Sequence, residues 1–201
     1  MRNRSRWIAV AALSVFACST IAAQEATTTA ASPAGAARSG FYISLGLAWG
    51  SADLSCSGTC SGSANKSGSA GYLGLGGTID PQWRIGFESD AWAYDDQGYT
   101  YSLAFYNLMA TYYPSTTSDF WLKAGLGYSV YAESGFGNSG SVNGFAGGLG
   151  LGFDWLPGHG KFAIIPYANY MYQFSGGDVS GTGSSIQGNL LQFGIGFGYR
   201  H

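Results

Sequence analysis

The sequence predicts an all-β fold, an eight-stranded antiparallel transmembrane up-and-down β-barrel, and three observations carry that prediction. The first is composition. The 201 residues include 33 glycines and 16% aromatics but only 10% charged residues, against about 25% charge in an ordinary soluble domain. The second is that no apolar run after residue 23 approaches the ~20 residues of a membrane-spanning helix. A charge-poor chain that must pair every backbone group in lipid without helices has the closed barrel as its remaining solution. The third is alternation. Leu191, Phe193, Ile195, Phe197 and Tyr199 fall on one face of the final segment, while Gln192, Gly194, Gly196, Gly198 and Arg200 fall on the other. A strand that is apolar on one side and glycine or polar on the other suits a wall between lipid and a narrow lumen.

Three regions follow. Residues 1–23 read as a secretory signal peptide, with Arg2, Arg4 and Arg6 as basic n-region, Ile8 to Cys18 as a short apolar core and Ala22 or Ala23 at the cleavage point. Export to the bacterial outer membrane is the expected consequence. Residues 24–39 are rich in Ala and Thr and read as a flexible low-complexity tail. Residues 40–201 form one domain, the barrel. The whole chain carries 9 basic and 11 acidic residues; without the three signal arginines 6 basic remain, a charge of −5. No basic patch exists, which excludes nucleic acid as a partner. Cleavage also leaves two cysteines, Cys56 and Cys60, for which a disulfide is expected in an exported protein. Zinc would need further Cys or His ligands nearby, and the sequence has none there.

Eight segments alternate with turn punctuation. Phe41 to Trp49 sets Phe41, Ile43, Leu45, Leu47 and Trp49 on one face. Ala70 to Ile79 sets Leu73, Leu75 and Ile79 against Gly74 and Gly76. Trp83 to Tyr94 begins after Asp80-Pro81 and turns Trp83, Ile85 and Phe87 outward. Tyr99 to Tyr113 changes phase, because Leu103 and Phe105 share one parity while Leu108, Ala110 and Tyr112 share the other. That change predicts a β-bulge near Tyr106-Asn107. Phe120 to Ala132 turns Phe120, Leu122, Leu126, Tyr128 and Val130 outward. Val142 to Trp155 opposes Phe145, Leu149, Leu151, Phe153 and Trp155 to Gly144, Gly148, Gly150, Gly152 and Asp154. Lys161 to Phe174 and Ile186 to His201 complete the set.

The connections after segments two, four and six are short, whereas those after one, three, five and seven include longer stretches, notably Ser51 to Ser69 and Ser175 to Ser185. Short periplasmic turns and longer external loops have this asymmetry. Aromatics collect near the segment ends, with Trp83, Tyr112, Phe120, Trp155, Phe162, Phe197 and Tyr199 toward the turns and Trp49, Tyr172 and Phe174 toward the loops, as two interfacial girdles would.

The inward positions are mainly glycine and alanine, with a polar set of Arg84, Glu88, Asp90, Lys123, Asp154, Asn169, Gln173, Gln192 and Arg200. An eight-stranded barrel is just wide enough for its side chains to fill. The polar set is either a permeation path or a satisfied core that plugs the barrel. Buried charges need partners, which favours the plug and argues against a wide porin. Catalysis would need a base beside a nucleophile. The two histidines, His159 in a turn and His201 at the end, have no Ser and acidic orienter at a suitable spacing, so no catalytic residue, cofactor or metal site is expected. Asp95-Asp96 reads as a solvated turn. Gly148-Leu-Gly150-Leu-Gly152 lacks the following helix of a nucleotide loop, and a crowded lumen accounts for it.

With signal, alternating segments, loop asymmetry and the ending Gln192-Phe-Gly-Ile-Gly-Phe-Gly-Tyr-Arg-His201 in place, residues 41–201 resemble the small outer-membrane barrel families: the OmpX/Ail type, the opacity-protein type and the transmembrane domain of OmpA. The resemblance implies that the barrel-assembly machinery reads the last strand, with Phe193, Ile195, Phe197, Tyr199 and His201 as the assembly signal. Those families usually end in Phe or Trp, where this chain has His201. OmpA's soluble peptidoglycan-binding domain is not expected, because nothing follows segment eight. The implied setting is outer-membrane lipid and lipopolysaccharide around a monomer. The expected function is non-enzymatic, with surface-exposed loops serving envelope structure, adhesion or an external or host ligand. A narrow channel for small solutes is the alternative, and a lipid-modifying enzyme the third reading.

Overall fold

Period-two alternation of this kind leaves the backbone one economical arrangement, in which every N–H and C=O is paired with a neighbouring strand and no edge remains. The computed structural model describes residues 38–136, 138–157, 160–179 and 183–200. The signal and most of the tail, His159 and His201 lie outside the described residues. The strands are β1 Phe41–Gly58, β2 Gly62–Asp80, β3 Trp83–Asp96, β4 Tyr99–Tyr112, β5 Phe120–Gly135, β6 Asn138–Phe153, β7 Phe162–Gln173, β8 Gly177–Val179 and β9 Ser184–Arg200. Sequential neighbours pair antiparallel in one sheet, and β1 pairs with β9 from Tyr42 opposite Arg200 to Gly58 opposite Ser184, which closes the ring. The short β8 pairs with the first residues of β9 and prolongs the stave that β7 begins. Eight staves result.

One end of the barrel, the turn end, carries the β2–β3, β4–β5 and β6–β7 connections. At the other, the hairpin end, strands run well past the predicted segments: β1 and β2 stay paired to Cys56 opposite Gly62, so most of the stretch expected as a loop from Ser51 to Ser69 is strand. The β3–β4 hairpin turns on Gln97 and Gly98, with φ of 48° and 90°, both positive as a two-residue type I′ turn requires. The long connections expected after segments one and three are therefore stiff hairpins with tight tips.

Polarity explains why the sequence hid these extensions. Along β1 the outward positions are Leu45, Leu47 and Trp49, all more than half exposed, and then Ser51, Asp53 and Ser55; the inward ones pass from Ser44 and Gly46 to Ala52 and Leu54. The same exchange occurs on β2, β6 and β9, where Ser67, Ser69, Ser141, Asn143, Gln187 and Asn189 take the outer face above Leu73, Phe145 and Leu191. The barrel thus has two storeys. The storey at the turn end is apolar outside and polar inside, as a wall in lipid must be; the storey at the hairpin end is polar outside and apolar inside, as in a barrel standing in water.

The predicted bulge in β4 is corrected by the same observation. Its ladders to β3 and β5 run without a register shift through Tyr106 and Asn107. Leu103 and Phe105 are simply inward residues of one storey, and Leu108 and Tyr112 outward residues of the other. The bulge-like irregularity that does occur lies between Thr78 and Asp80 on β2.

The upper lumen is filled by Trp92, Leu103, Phe105, Met171 and Leu190, all under 2% exposed, packed with Ala52, Tyr131, Val142 and Ala146. A lumen surfaced mainly by glycine and alanine is therefore only half of the picture. Many inward glycines are sockets for these large groups: a Cβ on Gly148 would lie 2.2 Å from Met171 Sδ.

Candidate functional site

The lower lumen is the chemically densest part of the molecule. Period-two spacing on β3 puts Arg84, Glu88 and Asp90 on the inner face, and β5 adds Trp121 and Lys123. Asp154, just beyond β6, accepts hydrogen bonds from Trp121 Nε1 at 2.9 Å and the Tyr113 hydroxyl at 2.8 Å, and lies 3.3 Å from Arg84 Nη1. Arg84 also donates to the Tyr113 hydroxyl. Farther up, Lys123 Nζ stands 2.6 Å from both Glu88 carboxylate oxygens. Higher still, fully buried Asp90 accepts through Oδ1 from Asn169 Nδ2 at 2.9 Å and from Gln192 Nε2.

The sequence-predicted polar set is thus brought together in part. Arg84 pairs with Asp154 and Lys123 with Glu88, while Asp90 is held by neutral amides. Asp90 Oδ2 and the side-chain oxygens of Asn107, Asn169 and Gln192 reach no donor among the described residues. Gln173 bonds upward instead, to the Ser175 carbonyl at 2.8 Å and from the Gly188 amide at 2.9 Å. Arg200 is half-buried beside a cavity of about 50 Å³ that Arg84, Tyr113 and Asp154 also line, and its side chain joins no ion pair among the described residues. Tyr113, Trp121 and Asn107 escaped the sequence reading. Trp121 shares the parity of Lys123, which was the available signal; Asn107 was put out of phase by the supposed bulge.

Arg38 seals the turn end. The sequence places it in the flexible tail, yet it is 5% exposed. Its guanidinium donates to the carbonyls of Pro81 at 3.1 Å, Thr116 at 3.3 Å and Ser118, lies 3.4 Å from Asp119 Oδ1, and stacks 3.8 Å from the Tyr113 ring centroid. One residue ties the β2–β3 turn to the β4–β5 turn. No isolated sequence signal marks an arginine for this task.

The remaining expectations fall at the barrel's surfaces. Cys56 and Cys60 lie at disulfide distance at the β1–β2 tip, Cα atoms 5.7 Å apart. Phe193, Ile195 and Phe197 are more than half exposed on the outer wall, and Tyr199 packs against Phe162 with ring centroids 5.2 Å apart. Asp95 accepts from the Thr100 hydroxyl at 2.6 Å and Asp96 pairs with Lys66 at 3.4 Å. Aromatics ring both edges of the apolar belt: Trp83 stacks near Tyr112 at 4.7 Å, and Phe145 near Phe174 at 5.6 Å.

Two solved structures share this architecture over almost their entire length. Neisserial surface protein A matches with a TM-score of 0.53 and 16% identity over 81% of this chain and 98% of its own. Ail, the attachment invasion locus protein of Yersinia pestis, matches with a TM-score of 0.52 and 15% identity over 80% and 99%, in a complex with the heparin analogue sucrose octasulfate. The chain has the fold of the small eight-stranded outer-membrane barrels. Within that fold this outer-membrane-type barrel keeps a lumen of its own, ion-paired below and apolar above. No family model matches the chain, and no curated protein matches it by sequence.

Proposed function

We propose that the protein is a non-enzymatic bacterial outer-membrane barrel, closed to solute flow, that presents rigid paired hairpins at the cell surface for contact with the envelope or with external partners. One observation supports this above the others: the lumen is filled along its length, by ion pairs near the turns and by five fully buried apolar side chains above them. Lipid fits the apolar belt, and lipopolysaccharide fits the polar hairpins above its outer edge. The turn end then faces the periplasm, where the assembly machinery would read Phe193, Ile195, Phe197, Tyr199 and His201. A monomer suffices, because the ring leaves no strand edge to pair. The narrow-channel reading is the weaker one, since water would have to displace Trp92 and Phe105.

Two measurements test the proposal. Purified full chain in planar bilayers should give no stable unitary conductance; steady steps altered by Lys123→Met would overturn closure. Orientation is read on intact cells: Gln97→Cys should react with a membrane-impermeant maleimide, and Thr116→Cys only after the outer membrane is opened. The reverse pattern would overturn the orientation.

A further inference from the structure

The upper storey resembles no part of a lipid-embedded wall. Its exterior is Ser, Asn, Asp and Gln, and its interior is Leu, Ile, Trp and Tyr. An eight-stranded barrel of that polarity can hold one small ligand. At its open end lies a cup of about 340 Å³, lined by Leu54, Ala64, Lys66, Tyr101, Tyr131 and Ile186, within the ~300–1,000 Å³ usual for small-molecule sites. The floor is the buried core, onto which Leu54, Tyr101 and Ile186 pack while staying half-exposed.

We propose that this cup is a binding site for a small molecule with a ring-bearing apolar body and a single acidic head. The apolar body follows from the walls, where water gains few hydrogen bonds. The ring follows from the tyrosines: Tyr101 lies 6.4 Å from Tyr94 and 6.3 Å from Tyr99 between centroids, and offset ring contacts add to the energy of buried area. The acidic head follows from Lys66, the cation on the lining. Its Nζ sits 5.1 Å over the Tyr94 ring and 3.4 Å from Asp96, with both partners 39% exposed. The hydrogen bond to Asp96 raises the Lys66 pKa, so the ammonium keeps its charge. An acidic head would share this exposed ammonium with Asp96. The proposal rests on the surface-barrel reading only for the side from which ligand arrives. The closed floor makes the cup a site of capture, with no route onward.

The probe is 2-naphthoate, titrated by fluorescence anisotropy into the full chain in lipid nanodiscs, with empty nanodiscs as background. Saturable single-site binding is expected. Ile186→Glu, which places a carboxylate against the ring, should weaken it about tenfold or more, and Ala64→Trp, which fills the cup with apolar bulk, should abolish it. Ser67→Asn, at similar height on the outer face, should leave it unchanged. 2-Naphthylmethylamine should bind more weakly than 2-naphthoate, and Lys66→Met should narrow that difference. Heat-modifiable migration on gels checks that each variant is folded. Uptake equal to that of empty nanodiscs, or saturable binding indifferent to both Ile186→Glu and Ala64→Trp, overturns the site. Nanodiscs expose both ends of the barrel, so failure here with outward labelling of Gln97→Cys would sink the cup and leave the surface-barrel reading standing.

Discussion

Three donors from separate parts of the wall converge on Asp154, and this makes it the most consequential single residue in the lower lumen. Trp121 comes from β5, Arg84 from β3, and Tyr113 from just past the end of β4. Asp154→Ala leaves the Arg84 guanidinium buried without its carboxylate, a change that costs about 3–5 kcal/mol. Urea-driven unfolding from lipid vesicles should show it, and a loss below about 1 kcal/mol would mean that Arg84 finds another partner. Glycine acts through close approach. A Cβ on Gly46 would meet the Tyr72 ring at 2.3 Å and the Tyr167 ring at 2.7 Å, where those two rings pack edge to face. Gly46→Val should therefore destabilise by roughly 1–3 kcal/mol through overpacking. At Gly77 a Cβ would meet nothing within 4 Å, so alanine there should change stability by less than about 0.5 kcal/mol. The sequence marked both glycines alike as lumen and wall residues; which one has a ring resting on it depends on strands far away in the chain.

At the scale of elements, β4 decides how the alternation is to be interpreted. Its apolar residues change parity, and a bulge is the local explanation. A change of surroundings, from water outside to lipid outside, accounts for the same letters without disturbing the ladder. Single-cysteine variants from Leu103 to Tyr112 test this. Ala104, Tyr106, Leu108 and Ala110 should all be open to an apolar or aqueous thiol probe, and Leu103, Phe105, Asn107 and Met109 all protected. A swap of parity within the strand would restore the bulge. The β1–β2 hairpin gives a second test. Its strands remain paired to within a few residues of the Cys56–Cys60 pair, so reduction should leave the barrel folded and still heat-modifiable on gels. Alkylation of the unreduced protein should add no mass; two alkylated cysteines would mean that the bond does not form.

For the whole molecule, the two storeys set where charge is tolerated. Leu47 is 75% exposed in the belt, and Leu47→Lys should cost about 2–4 kcal/mol when the barrel folds into vesicles, as a lysine near the bilayer midplane does. Ser67→Lys, on the outer face of the upper storey, should change stability by less than about 0.5 kcal/mol. Equal penalties at both sites would contradict the storey boundary. Arg38 acts at this scale too, since it links two turns that belong to different hairpins.

The sequence by itself determined the closed eight-stave wall, its apolar belt and most of the polar residues inside it, because period-two alternation and backbone pairing are local facts that any eight such segments must satisfy. It did not determine how far the strands run beyond the belt, nor which polar groups pair. Phe105 and Leu108 read as a contradiction until the surroundings change along the strand axis, and Arg84 finds Asp154 only when β3 and the end of β6 face each other across the lumen. Those outcomes belong to the tertiary structure, because the medium around a residue and the partner opposite it are set by the closed barrel as a whole.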